Sequence, residues 1–268
     1  MRRLGKLTVG LSVALGAALP LPQVAVLSAG PSCESLSSLS IPGASITLAQ
    51  VVPPGGFSGQ PTGPSAAEQG FSNRVAFCRV AATLKPSLDS DIKVEVWLPT
   101  TGWNGKYQAV GNGGWGGAMS YPAMTNALTL GYATSSTDTG HAGVGVGAGV
   151  AAFALGHPEK LIDYAYRSEH EMTVLSKAIV EAFYGVAPKH SYFNGCSTGG
   201  RQALMEAERF PADFDGIIAG AAANPKTHLD AWRISLAQAM FASETGAIPT
   251  SKFPMIHDAL LGACDLLD

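Results

Sequence analysis

Apolar and polar positions follow two different periods along this chain, and each period predicts one type of element. Residues 73–84 and 92–98 largely alternate apolar and polar side chains, which predicts a hairpin of two half-buried strands. Residues 159–184 repeat apolar side chains with a helical period, which predicts a long helix. Shorter runs predict four further strands, at 106–110, 132–137, 190–194 and 214–219.

The order of these elements predicts an α/β fold. Strands that alternate with helices favour a mostly parallel sheet with helices on both faces. Residues 200–209 are predicted to form a helix, with Ala203, Leu204 and Ala207 on one face. Residues 31–75 are rich in Ser, Gly and Pro, and we expect them to run over the surface.

Composition and charge exclude one class of function. The chain has 268 residues, of which 46% are hydrophobic and 14% charged, and its net charge is −3. Lys and Arg are scattered and form no basic run, so nothing indicates nucleic-acid binding.

The first thirty residues resemble a secretion signal. Arg2, Arg3 and Lys6 precede an apolar run over 7–21, and small residues follow at 28–30. Pro20 and Pro22 close the run before the roughly 20 residues that a spanning helix needs. We therefore expect residues 1–30 to be a cleaved signal peptide, and the mature protein to be secreted or periplasmic and not membrane-bound.

The sequence Gly195-Cys196-Ser197-Thr198-Gly199 matches the nucleophile elbow motif, G-x-S-x-G. In such an elbow, a sharp turn between a strand and a helix presents the serine hydroxyl, and glycines let the turn close. The predicted strand and helix on either side fit this context. The alternative is a glycine-rich turn with an ordinary serine.

The glycine-rich loop at 111–117 follows the third predicted strand. It lacks the G-K-[ST] ending of a phosphate-binding P-loop and the spacing of a dinucleotide fingerprint. In α/β-hydrolases, such a loop supplies one donor of the oxyanion hole, and the residue after the nucleophile supplies the other. We assign these donors to the backbone of Thr198 and of Gly113 or Gly114. A flexible surface loop is the other interpretation.

Four cysteines are present and no C-x-x-C pair, so a zinc site is not indicated. Export would permit disulfides. Cys33 and Cys78 could tie the N-terminal segment to an early strand. A bond between Cys196 and Cys264 is possible on count alone.

Several strings resemble the tannase and feruloyl esterase family, whose members include terephthalate monoester hydrolases. The strings are 136–141, 154–160, 193–202, 207–211 and 214–220. The resemblance runs from about residue 33 to the end of the chain. It implies an α/β-hydrolase fold with an inserted lid domain. Residues 31–225 would then be the N-terminal part of the catalytic domain, and residues 226–268 the start of the lid.

The family resemblance also implies roles for individual residues. Ser197 would be the nucleophile, Cys33 and Cys78 would form the N-terminal disulfide, and Cys196 would bond a cysteine beyond the catalytic histidine. The end of the chain resembles the start of a calcium loop in the lid, with Asp265 and Asp268 as the first ligands. A solvated helix end is the alternative for these two carboxylates.

The chain departs from the family pattern after the elbow. The family's catalytic Asp and His lie beyond the lid, and this chain stops first. Asp215 or Asp230 with His257 would satisfy the order Ser, acid, His, but Asp230 and His257 lie in segments that look helical. We therefore expect an N-terminal fragment with an incomplete sheet, inactive alone, in which Cys196 and Cys264 lack their partners. We expect His228 and His257 to be surface or lid residues, and His141 and His190 to serve structure.

The resulting hypothesis is a secreted serine esterase acting on small aromatic acyl esters, such as gallates or ferulates, through a Ser-His-Asp triad and an acyl-enzyme. It implies structural calcium and no organic cofactor. A peptidase or acyltransferase on the same scaffold would differ only in the bond cleaved or in the acceptor. The alternative from another class is a secreted binding module without catalysis.

Overall fold

A seven-stranded sheet organises the part of the chain that the computed structural model describes, residues 31–59, 71–143, 148–243 and 246–265. The strand order is β1-β4-β5-β7-β6-β8-β9, and β2 and β3 form a separate two-stranded ribbon. The strands are β1 (Ala44–Val52), β2 (Ser58–Gly59), β3 (Phe71–Ser72), β4 (Phe77–Leu84), β5 (Ile92–Pro99), β6 (Lys106–Val110), β7 (Ala133–Thr137), β8 (His190–Cys196) and β9 (Gly216–Gly220). The predicted signal peptide at 1–30 lies outside the described residues.

Six α-helices are described, together with short 3₁₀ segments at Cys33–Ser38, Ala148–Ala154 and Thr250–Lys252. The helices are α1 (Tyr121–Thr129), α2 (Pro158–Ile162), α3 (Ser168–Tyr184), α4 (Thr198–Arg209), α5 (Lys226–Met240) and α6 (Phe253–Cys264). Within these described residues, no helix is long and apolar enough to cross a membrane.

The predicted α/β fold is confirmed, but the sheet is mixed. The pairings β7–β6, β6–β8 and β8–β9 are parallel, whereas β1–β4, β4–β5 and β5–β7 are antiparallel. The expectation of a mostly parallel sheet therefore holds only for the C-terminal strands. A short connection joins β4 to β5 as a hairpin, and such a connection permits only antiparallel neighbours.

The order of the parallel strands predicts a binding site at their carboxyl ends, between β6 and β8. From β6 the chain moves to β7 on one side, and then returns to β8 on the other side. Ligands of open α/β sheets bind at the carboxyl ends of the strands where the strand order reverses in this way. Val110 pairs with Asn194, so the ends of β6 and β8 lie side by side there.

Strand β1 was not predicted, and it corrects the expectation that residues 31–75 only cover the surface. It pairs with β4 along its whole length, with one register shift between Ile46 and Leu48. The disulfide between Cys33 and Cys78 is confirmed, with Cα atoms 5.5 Å apart. It joins the 3₁₀ segment before β1 to β4.

The predicted long helix at 159–184 is present, but a π-helical turn at Asp163–Arg167 interrupts it. A π turn shifts the backbone hydrogen bonds, so carbonyl groups become available to other donors. Arg201 of α4 uses them: its guanidinium donates to Ala165 O at 2.8 Å and to Tyr164 O at 3.1 Å.

Two clusters of apolar side chains form the core. In one, Met172, Leu175 and Ile179 of α3 pack on one face of the sheet, and in the other, α1 covers Trp97 on β5. The apolar face predicted for α4 is largely wrong, because Leu204 and Ala207 are exposed and only Ala203 is buried. The buried face of α4 is mainly polar, and its partners are described below.

The C-terminal helices α5 and α6 have no buried residue among those described. Strand β9 is an edge of the described sheet, and Ile218 on it is 63% exposed. The helices predicted near 227–232 and 253–258 are present. The domain boundary at 226 stays a prediction.

Candidate active site

Ser197 stands at the turn between β8 and α4, as the elbow motif predicts for its position. Its backbone has φ +62° and ψ −116°, a conformation that residues other than glycine rarely adopt. The residue is exposed to solvent. Strained backbone at an exposed serine is typical of a functional turn, because surrounding contacts must impose it.

The backbone of Ser197 is fixed from both sides. Its N–H donates to Gly220 O at 3.0 Å, and its carbonyl accepts from the N–H groups of Ala223 and Arg201, each at 3.1 Å. The end of β9 and the first turn of α4 therefore impose the unusual φ.

Glycines in the elbow are required by close backbone contacts. A Cβ on Gly195 would lie 2.3 Å from Gly199 O, and one on Gly200 would lie 2.2 Å from Gly220 O. Real Cβ atoms do not approach other atoms so closely. Gly195 of the motif and the adjacent Gly200 therefore permit the tight strand–turn–helix packing for a steric reason.

The glycine-rich loop at 111–117 contacts the first turn of α4. Gly199 N donates to Asn112 O at 2.8 Å, and the hydroxyl of Thr198 donates to Gly114 O. A Cβ on Gly113 would meet no atom within 4 Å, so the space beside this residue is open.

The structure therefore brings the three residues assigned to the oxyanion hole, Thr198, Gly113 and Gly114, to the neighbourhood of Ser197. Thr198 is the first residue of α4, where the N–H groups have no carbonyl in a preceding turn. The helix dipole at this end favours negative charge. The role of these residues as donors stays a prediction.

Behind the elbow, a buried polar network joins the loop to helices α3 and α4. Asn112 N donates to Gln202 Oε1 at 2.9 Å, and Gln202 Nε2 donates to Asn112 Oδ1 at 2.8 Å. Gln202 Nε2 also donates to Glu169 Oε1 at 2.5 Å. Burial raises the pKa of Glu169 to about 8, while Arg201 and Gln202 act in the opposite direction.

Aromatic side chains lie beside the loop. Lys226 Nζ is 3.9 Å from the ring centroid of Trp115, and the rings of Trp115 and Tyr164 are 5.7 Å apart. The guanidinium of Arg201 lies over the Tyr164 ring at 4.7 Å. Burial raises the pKa of Tyr164, so its hydroxyl stays protonated.

The histidines of the chain contact residues other than Ser197, or are exposed. His170 bonds Asp213 at 2.7 Å, His157 bonds Asp89 at 3.0 Å, and His141 is buried and stacks on Phe153. No hydrogen bond in the described part of the chain joins a histidine to Ser197.

The exposed histidines and the two acids considered as triad members also make no described hydrogen bond to Ser197. His228 and His257 are exposed on α5 and α6. Asp230 pairs with Lys226 at 2.9 Å, and Asp215 accepts the N–H of Ser191 at 2.7 Å. Among the described residues, then, no histidine or acid is hydrogen-bonded to the Ser197 side chain.

Cys196 and Cys264 are free and exposed, so they do not bond each other. Their pairing with other cysteines stays a prediction. No group of three His, Cys, Asp or Glu side chains within the described ranges could hold a metal ion. Asp265 follows α6 and Asp268 lies outside those ranges, so calcium binding also stays a prediction.

Sequence reasoning missed Asn112, Gln202 and Glu169. Asn112 lies within the glycine-rich loop at 111–117, and Gln202 lies in the helix after the elbow, five residues beyond Ser197. The available signal was the polar side chain of Gln202 in the first turns of the predicted helix, close to the elbow. Glu169 gave none, because its sequence position fits a solvated helix face.

Comparison with known proteins identifies relatives of this chain. A family model described as tannase and feruloyl esterase matches residues 78–268. An uncharacterized esterase of Xanthomonas campestris pv. campestris is 40% identical over 241 residues, which are 90% of this chain and 40% of that protein. Feruloyl esterase B of Aspergillus niger is 37% identical over 195 residues, 72% of this chain and 36% of the relative.

A solved structure is similar as well. The crystal structure of feruloyl esterase B from Aspergillus oryzae matches with a TM-score of 0.74 and 30% identity, over 87% of this chain and 45% of that one. The chain thus spans about 40% of the length of the curated relatives it matches.

Proposed function

The chain belongs to the tannase and feruloyl esterase family, and from this premise we propose that it carries the nucleophile of a serine carboxylic ester hydrolase. One observation supports this most directly: the exposed Ser197 stands at a strand–helix turn with φ +62°, beside a glycine-rich loop. A serine in an ordinary surface turn needs neither the strained backbone nor glycines packed at contact distance.

In the proposed mechanism, the Ser197 hydroxyl attacks the carbonyl carbon of an ester and loses its proton to a histidine. The described residues offer Ser197 no such partner, so the proposal takes the histidine and its aspartate from outside them. The backbone N–H groups of Thr198 and of Gly113 or Gly114 stabilise the negative oxygen that forms. The alcohol leaves, and water then hydrolyses the acyl-enzyme.

Aromatic acyl esters, such as gallates or ferulates, are the proposed substrates. The names of the relatives, feruloyl esterase and tannase among them, support this class. Secretion is proposed from the signal-like residues 1–30, and calcium in the lid from Asp265 and Asp268. No organic cofactor takes part in the proposed chemistry.

The test is Ser197→Ala in the intact protein, with a fluorophosphonate probe and a p-nitrophenyl ester. We expect the variant to lose covalent labelling and at least about 10³-fold in kcat, because the nucleophile is gone. Ser45→Ala is the matched control, since Ser45 is an exposed serine on β1. A wild-type protein that the probe does not label would instead favour the non-catalytic binding module.

A further inference from the structure

A chain of three buried polar side chains crosses from α3 through α4 to the glycine-rich loop. Glu169, Gln202 and Asn112 are 1%, 1% and 3% exposed. A buried polar group is costly unless it is hydrogen-bonded, and an apolar core could fill this space without that requirement. These three residues therefore need an explanation beyond packing.

The hydrogen bonds fix the orientation of both amides. Asn112 Nδ2 donates to two carbonyl oxygens, Thr137 O at 2.7 Å and Ala118 O at 2.8 Å. Because carbonyl oxygens only accept, Asn112 Oδ1 must face Gln202 Nε2. The N–H of Asn112 in turn requires Gln202 Oε1 beside it. The network thus has one consistent arrangement.

Glu169 completes the network as an acceptor. Its Oε1 accepts a hydrogen bond from the second N–H of Gln202 Nε2 at 2.5 Å. With this bond, Gln202 uses both of its amide protons and its oxygen inside the protein. Rotation of the carboxamide would break three hydrogen bonds at once.

The network controls the backbone next to the predicted oxyanion donors. Asn112 immediately precedes Gly113, its N–H is held by Gln202, and its carbonyl is held by Gly199 N at 2.8 Å. A Cβ on the preceding Gly111 would lie 2.9 Å from Gln202 Oε1. The carboxamide of Gln202 is therefore in close contact with the base of the loop.

We propose that Gln202 is a positioning residue, whose carboxamide holds Asn112 and the glycine-rich loop at a fixed distance from Ser197. Glu169 holds the carboxamide in place. The proposal rests on the proposed esterase function. Its physical reason is that the two oxyanion donors come from different segments, Thr198 on α4 and Gly113 or Gly114 on the loop. Only a rigid connection between the segments keeps both donors aimed at one oxygen atom.

The main test is Gln202→Met in the intact protein, with hydrolysis of p-nitrophenyl acetate as the assay. Methionine has nearly the same length and removes all three hydrogen bonds. We expect kcat to fall about 10- to 100-fold while KM stays within about twofold. Loss of one oxyanion donor costs about 10²–10³ in kcat, and here a donor is displaced, not removed.

A second pair of variants covers the case in which Gln202→Met fails to fold. Glu169→Leu removes the acceptor for Gln202 Nε2, and kcat should fall. Glu169→Gln keeps an acceptor oxygen at the same place, and kcat should recover to at least about a third of the wild-type value. Recovery of kcat in Glu169→Gln would show that the acceptor oxygen at this position matters, and not the volume of the side chain.

Asn73→Leu is the matched control for a lost buried amide. Asn73 is 2% exposed and bonds Phe57 N, Pro53 O and Val75 O, far along the chain from the elbow. It should lower the melting temperature without changing kcat. An equal fall in kcat in this variant would overturn the proposal, because the loss would then follow stability alone.

The remaining outcomes are also distinct. A folded Gln202→Met protein with wild-type kcat, labelled normally by the fluorophosphonate, would overturn the positioning role and leave the esterase function standing. A wild-type protein that neither hydrolyses the ester nor takes the label would overturn both.

Discussion

Glu206 on α4 provides a sharp test of the electrostatics behind the elbow. The side chain is fully buried, and neither of its carboxyl oxygens has a hydrogen-bond partner among the described residues. The pKa of Glu206 is raised to about 9, mainly by burial and also by the carboxyl groups of Glu169 and Asp213, while Lys177 acts in the opposite direction. Glu206 is therefore protonated at neutral pH.

The sign of the effect on stability follows from the direction of this shift. Below the ordinary pKa of 4.5, this carboxyl is protonated in both the folded and the unfolded state, and the folded protein has its full stability. This stability is lost as the pH rises, because the unfolded chain releases the proton and the folded protein keeps it. Between pH 5 and pH 7 the loss is about 3 kcal/mol, at about 1.4 kcal/mol per pH unit.

The perturbation is Glu206→Gln, which has the same shape and cannot ionise. At pH 5 we expect the variant to be less stable by about 1–3 kcal/mol, because its amide protons find no acceptor. At pH 7 the wild-type protein has lost about 3 kcal/mol that the variant keeps. Glu169 is present in both proteins, so its contribution largely cancels in the difference.

The assay is thermal unfolding of both proteins at pH 5, 6 and 7. The melting temperature of the variant minus that of the wild type should rise by about 5–10 °C over this range. Glu208→Gln is the control, since Glu208 is exposed on the same helix, and its difference should stay flat. A flat difference for Glu206→Gln as well would refute the reasoning, because Glu206 would then ionise as an exposed carboxyl does.

Two further predictions concern stability. Arg79 donates to Glu95 at 2.5 and 2.9 Å, and Glu95 is only 5% exposed. Arg79→Met should therefore cost about 3–5 kcal/mol in denaturant unfolding, whereas Lys93→Met, which removes a half-exposed pair with Asp91, should cost at most about 1 kcal/mol. Similar losses for both would argue against an effect of burial. Replacing Cys33 and Cys78 by alanine should cost about 2–4 kcal/mol by removing the buried disulfide, with Cys264→Ala as a neutral control. Free-thiol titration of the oxidised protein that finds Cys33 and Cys78 reactive would contradict the pairing.

Strong local patterns predicted the strands that surround the elbow. Strand β6 has the predicted bounds, 106–110, and β8 differs only at its C-terminal end. In both, a short apolar or aromatic run between turn residues sufficed. Ser197 could also be selected, because the glycines of its motif reflect a steric requirement that is local to the turn.

Other elements were missed although their signals were present. Apolar residues alternate along β1 at Ile46 and Leu48, but the Ser, Gly and Pro around it suggested a loop. In α1, Pro122 near the start and Met124, Ala127 and Leu128 on one face have the pattern of a helix. Both elements are short, and the Ser, Gly and Pro content of their surroundings was given more weight than the spacing of their apolar residues.

The polar network could not be predicted by local pattern. Asn112 and Gln202 are 90 positions apart, and Gln202 and Glu169 are 33 apart, so only the tertiary fold brings them together. The buried face of α4 includes Arg201 and Gln202, which are hydrogen-bonded inside the protein, whereas hydrophobic periodicity assigns such polar residues to solvent. A rule based on apolar faces therefore selected Leu204 and Ala207, which are exposed, and missed the buried polar residues of this helix.

The backbone of Ser197 sets stability and chemistry against each other at a single position. A backbone with φ +62° and ψ −116° costs a serine about 1–3 kcal/mol, whereas glycine adopts positive φ freely. Substitution to glycine would relieve this cost and remove the hydroxyl group in the same step. If the hydroxyl is the nucleophile, selection for activity keeps the less stable amino acid here. The hydrogen bond to Gly220 O and those from the N–H groups of Ala223 and Arg201 must then hold it against its own preference. Mutational drift toward a more stable protein would then lead, at this one residue, to an inactive one.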